Sequence, residues 1–119
     1  YPWGSQYPDS KWVNFGINTG DTTEAGSYLI SHSPCGAKDM AGNVWEWVAD
    51  WYAKDFYTVS PTSNPIGPAT GVSRVLRGGS WNNFGRFLRC SNREKARPSA
   101  RWGNVGFRCA MDPPWKKKF

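Results

Sequence analysis

The sequence is short of the residues that most site chemistry needs. It has one histidine, His32, and three cysteines, Cys35, Cys90 and Cys109, in 119 residues. A single histidine excludes a multi-histidine metal centre and any relay of imidazoles. A serine triad would have to use His32, which stands between Ser31 and Ser33 with no nucleophile elbow nearby. No Cys-x-x-Cys pair is present, so zinc-finger spacing is missing. Three cysteines are too few for the dense disulfide framework of a small secreted domain. Long apolar runs are missing too, and none approaches the roughly 20 residues of a membrane-spanning helix. The opening Tyr1-Pro2-Trp3-Gly4 has neither the basic nor the apolar region of a secretory signal.

What the chain does have is aromatic. Apolar residues are only 39% and mean hydropathy is −0.65, yet there are 8 Trp, 5 Tyr and 6 Phe. Each large ring buries roughly 150–250 Å², so a few of them carry much of a core. The net charge of +6 is uneven. Residues 1–73 hold three Lys/Arg against seven Asp/Glu, and residues 74–119 hold twelve against two. This asymmetry suits arginines of the second half pairing with acids of the first, and it also suits an acidic or nucleic-acid partner. No nucleic-acid motif accompanies it, so nucleic acid is not the expected ligand. Lys116-Lys117-Lys118 reads as a solvated end, with residues 113–119 a basic tail on a domain of residues 1–112.

The 13 glycines and 9 prolines are spread throughout, and helical periodicity is weak. Short strands are expected at Thr23 to Ile30, Val44 to Val48, Ser73 to Arg77, Phe87 to Arg93 and Val105 to Ala110. Ser60 to Gly71, with Pro61, Pro65 and Pro68, is expected to be a surface loop. The class is α+β with short strands and much irregular backbone. In Val44 to Val48, Trp45 and Trp47 would share one face and Glu46 the other. A glutamate between two tryptophans needs a partner, either an arginine such as Arg77 or Arg108, or a metal.

Four segments are specific in combination. They are Tyr1-Pro2-Trp3-Gly4, Asp39-Met40-Ala41-Gly42-Asn43-Val44-Trp45-Glu46-Trp47, Arg74-Val75-Leu76-Arg77-Gly78-Gly79-Ser80-Trp81, and Asn104-Val105-Gly106-Phe107-Arg108. In this order they resemble the formylglycine-generating-enzyme, or sulfatase-modifying factor, family, from Tyr1 to about Ala110. The resemblance implies a C-type-lectin-like fold of the formylglycine-generating-enzyme subclass. It implies a calcium ion held by Asp39, the carbonyls of Gly42 and Val44, and Glu46, a hard-oxygen set suited to that ion. A second calcium loop would use Asn14 and Asp21. Family domains are about twice this length, so an N-terminal half or a second chain is expected to complete this one.

The family's oxidase holds copper with two cysteines just after the Gly-Gly-Ser segment, as thiolate-loving Cu(I) requires. Here Asn82-Asn83-Phe84-Gly85-Arg86-Phe87-Leu88 occupies that place without a cysteine. Copper is therefore not expected, and the reading leans away from an enzyme. The stretch from Gly78 to Arg108 is similar to the variable proteins of diversity-generating retroelements, which share the fold. That likeness sets Phe84, Arg86, Phe87, Glu94, Lys95, Ala96, Ser99, Ala100, Trp102 and Gly103 between framework residues as a ligand-binding face. The ligand would be a protein or a surface glycan. The alternative is a fragment of a sulfatase-modifying oxidase or a related maturation factor. The likeness also leaves Cys90 and Cys109 open, either bridged or as two buried thiols, with Cys35 free.

Overall fold

The computed structural model describes residues 1–30 and 32–111; the expected basic tail lies outside them. Four short strands form one mixed sheet: β1 (Trp45–Trp51), β2 (Arg74–Arg77), β3 (Glu94–Ala96) and β4 (Val105–Gly106). Their order across the sheet is β3-β2-β1-β4. β1 runs antiparallel to β2 and parallel to β4, and β3 closes the far edge antiparallel to β2. The helical component is two 3-10 turns, Phe56–Thr58 and Gly85–Leu88. Among the described residues no helix is long and apolar enough to cross a membrane.

β1 forms because its alternation matches a sheet with two different faces. Trp45 and Trp47 pack with Leu76, Ala96, Phe87, Ala100 and Val105 on one side. Glu46 stands opposite Arg77 on the other. The β1–β2 register shifts between Trp47 and Trp51, a bulge that frees the far end of β1 from strict alternation. A second cluster of Val13, Ala41 and Leu88 gathers Tyr1, Trp3, Phe15 and Phe87. Phe87 belongs to both clusters and joins them.

Three expected strands differ. Thr23 to Ile30 is irregular, with a turn closed by Ser27 N–H to Glu24 O at 3.2 Å and Gly26 at φ +81°. Phe87 to Arg93 begins as a 3-10 turn, because Phe87 and Leu88 both face core and an extended chain would send one outward. The strand starts later, at Glu94. Val105 to Ala110 pairs only through Gly106, since Arg108 leaves the ladder to bind the 38–39 backbone. Residues 60–71 form the expected loop.

Those changes decide the cysteines. Without neighbouring strands at 87–93 and 107–110, Cys90 and Cys109 are not brought together. All three cysteines are free and exposed, so neither the bridge nor the buried thiols are found. The Cys35 thiol is shifted below its ordinary pKa, chiefly by the Ser33 hydroxyl 3.0 Å away and next by the Ala37 backbone. More thiolate at neutral pH means faster alkylation. Cys35 should therefore label with iodoacetamide before Cys90 and Cys109, and Ser33→Ala should slow it. Mass spectrometry of peptides from a time course checks both.

Candidate functional site

The turn before β1 sets up everything around it. Gly42 has φ +78°, and a Cβ there would fall 2.3 Å from Val13 Cγ2 and 2.5 Å from Asn14 O, so only glycine fits. Asn43 follows with φ +62°, which asparagine tolerates better than most residues. Its backbone N–H donates to Asn14 O at 2.9 Å, and its carbonyl accepts from Trp81 N at 2.9 Å. Its side-chain oxygen accepts from Thr23 N at 2.8 Å, and its amide donates to Thr23 O at 3.1 Å. One residue thus ties the 14–23 loop, the 78–81 turn and β1 together.

Asp39, Gly42, Val44 and Glu46, the expected calcium set, line one open cleft of about 560 Å³. The cleft also contains a cation of the protein itself. Arg108 donates Nε to Glu46 Oε2 and Nη2 to Glu46 Oε1, both at 2.6 Å. Its Nη1 reaches Lys38 O and its Nη2 reaches Asp39 O, both at 2.9 Å. The hydrogen bonds it donates to Glu46 hold the guanidinium above its ordinary pKa. Asp39 Oδ2 accepts from Gly26 N at 2.6 Å. Among the described residues no cluster of three or more His, Cys, Asp or Glu side chains is placed to hold a metal. Asn14 and Asp21 also meet, but as a clasp: buried Asn14 donates to Asp21 O at 2.8 Å and accepts from Thr19 Oγ1 at 2.8 Å.

The expected ligand-binding residues divide. Ala96 is 4% exposed at the centre of the sheet cluster, and Phe87 and Ala100 pack against that cluster, so these three are core or its lining. Phe84 and Trp102 are 67% and 52% exposed, and Arg86, Ser99 and Gly103 are exposed with them. Arg86 lies over both Phe84 and Phe87, 5.5 and 4.8 Å from the ring centroids. Glu94 and Lys95 are exposed on edge strand β3 but point to opposite faces, and Lys95 sits over Tyr52.

A polar knot that residue types alone did not reveal joins the two loops. Asn104 Nδ2 donates to Asn82 Oδ1 at 3.0 Å and to Ser80 Oγ at 3.1 Å. Fully buried Ser80 lies within 2.8 Å of Asn82 Oδ1 and 2.6 Å of Asn83 Oδ1. The available signal was the asparagines at 82, 83 and 104, each close to a glycine-containing turn. It could not be read as a contact across 22 residues.

Comparison with known proteins follows this geometry. The model of the sulfatase-modifying factor enzyme 1-like domain matches residues 1–113, and the chain belongs to that family. It is 47% identical over 114 residues to the serine/threonine-protein kinase pkn1 of Chlamydia pneumoniae, covering 94% of this chain and 18% of that one. It is 37% identical over 126 residues to the formylglycine-generating enzyme of Streptomyces coelicolor, covering 94% and 40%. Among solved structures, Treponema denticola variable protein 1 superposes with a TM-score of 0.69 at 33% identity, covering 82% of this chain and 35% of that one. The chain therefore spans less than half the length of each of these relatives.

The Asn43 junction generates a stability prediction. Asn43→Ala should cost roughly 2–4 kcal/mol, from lost side-chain hydrogen bonds and a strained φ. Asn43→Gly relieves the strain alone and should still cost about 1–2 kcal/mol. Urea unfolding of both variants checks this; a glycine variant as stable as the parent would show that conformation, not hydrogen bonding, is what the asparagine supplies.

Proposed function

We propose that this domain is a non-catalytic ligand-binding module, with a recognition face formed by the loops at 82–86 and 99–104. The observation that carries the reading is the pair of exposed rings, Phe84 and Trp102, with Arg86, on loops fastened by the Asn82–Asn104 contact. Aromatics and arginine are the residue types that dominate binding hot spots, and a fixed backbone lowers the ordering cost of using them. The likeness to a variable protein supports the same reading. The ligand is a protein or a surface glycan, and the domain works as one part of a longer assembly, in keeping with the lengths of its relatives.

Simultaneous replacement of Phe84, Arg86, Ser99 and Trp102 by alanine should leave the melting temperature within a few degrees, because exposed substitutions usually cost under about 0.5 kcal/mol each. Peptides selected from a display library against the parent, and any hits on a glycan array, should no longer bind the variant. Copper-dependent oxidation of a cysteine-containing peptide by the parent would overturn the reading and restore the oxidase alternative.

Calcium is the second element of the proposal. Asp39, Gly42, Val44 and Glu46 line one cleft, and their two carboxylates and two carbonyls would make a hard-oxygen set once Arg108 gives up a Glu46 oxygen. Bound there, the ion would fasten the 39–46 turn and would share Glu46 with Arg108. Calcium should raise the melting temperature by mass action and EDTA should reverse it. Glu46→Gln should abolish the calcium response. Identical melting with calcium and with EDTA would remove the ion from the proposal.

A further inference from the structure

A second cleft, about 250 Å³, lies beneath the 56–68 segment. On β2, Val75 and Arg77 face it, while Leu76 faces the cluster that supports the recognition loops. The cleft is thus on the opposite side of the sheet from Phe87 and Ala100, and it is independent of the proposed recognition face.

Its charges are unusual because they do not meet. Asp50 lines the cleft, and its carboxylate has no hydrogen bond or ion pair among the described residues. Arg77 lines the same cleft and donates only Nη1, to Asn92 O at 2.5 Å, leaving its other N–H groups without a partner among the described residues. The one ion pair among the described residues is Arg108–Glu46, so Asp50 and Arg77 stand further apart than 4.0 Å. Arg93 also lines the cleft and keeps its charge, but its Nη1 and Nη2 are held by Ala53 O and Lys54 O and its guanidinium lies over Tyr57, 4.4 Å from the ring centroid, so Arg77 has the freer donors. Opposite charges held apart in one partly dehydrated cleft are complementary to a molecule that carries both. A simple cation would leave Arg77 unbalanced, and a simple anion would meet Asp50.

The walls add size and polarity. Val48, Val75, Pro65 and Pro68 are apolar, and the prolines fix the backbone of the covering loop. Gly67, at φ +77°, leans on the carboxylate: a Cβ there would lie 3.1 Å from Asp50 Oδ2. The glycine keeps access to that oxygen open. The volume lies just below the roughly 300–1,000 Å³ of drug-sized pockets, which limits the occupant to a small molecule.

We propose that this cleft binds a free apolar α-amino acid, with its ammonium at Asp50, its carboxylate at Arg77 and its side chain against Val48, Val75 and Pro65. The probe is L-leucine, titrated into the 119-residue chain and followed by amide NMR shifts. Gly67 and Val75 should shift saturably at millimolar leucine. Isoamylamine, which lacks the carboxylate, and 4-methylpentanoate, which lacks the ammonium, should each bind at least about tenfold more weakly, as expected for loss of a charged hydrogen-bonding group. Asp50→Asn should weaken leucine by a similar factor with melting unchanged. The quadruple alanine variant of the recognition face should bind leucine like the parent, which separates this site from that face. No saturable shift, equal binding of either analogue, or unimpaired binding by Asp50→Asn would each overturn the proposal.

Discussion

The structure depends on a single left-handed turn at Gly42 and Asn43. β1 supplies the tryptophans of the core, but its starting point is fixed by that turn. Gly42 donates its N–H to Gly78 O at 2.9 Å, and the Asn43 carbonyl accepts from Trp81 N, three residues further along the same turn. The glycine pair at 78 and 79, with φ +93° and +73°, brings the chain back against these groups. Two loops far apart in sequence, 14–23 and 78–81, therefore converge on two residues. With so little regular structure, backbone polar groups in loops must be satisfied by side chains, and buried asparagine and serine do that here. The polar core at Asn14, Asn43 and Ser80 replaces the ladders that a larger sheet would supply.

The arginines of the second half are used differently from what charge counting suggests. Among the described residues only Arg108 finds a carboxylate. Arg74 donates to Ala49 O and lies 3.6 Å from the Trp51 ring centroid. Arg77 and Arg93 fasten carbonyls of other segments. A guanidinium presents several donors in a rigid plane and stacks on rings, so it serves as a clamp for irregular backbone that has no strand partner. The acids of the first half are left largely unneutralised as a result, and Asp50 is one of them.

Much of this was legible in the sequence where a single physical rule dominates. Two-residue alternation over Val44 to Val48 and Ser73 to Arg77 gave β1 and β2, because one face is tryptophan and leucine and the other carries charge. The family motifs pointed to the fold, and the residues around Asp39 and Glu46 do share a cleft. Phe87 to Arg93 was misread because its apolar residues serve two clusters at once, and short apolar runs do not show whether they are extended or coiled. Ala96 and Ala100 were placed among ligand residues because spacing between framework positions says nothing of depth. The Asn82–Asn104 contact and the position of Asp50 depend on long-range register, which local pattern does not contain.

Phe87 marks where the core ends and the exposed loop begins. It is half-buried, it packs against both clusters, and its ring also lies under Arg86. Phe84, three residues earlier, is two-thirds exposed and has no share in either cluster. Phe84 stands just before the 3-10 turn in extended backbone, with φ −68° and ψ 153°, so it is not carried inward with Phe87 and Leu88, which lie within the turn. Changes at 84 or 86 therefore meet solvent, whereas changes at 87 or 88 meet the core. The polar knot at Ser80, Asn82 and Asn104 ties this loop to the 99–104 loop through side chains other than the exposed Phe84, Arg86 and Trp102.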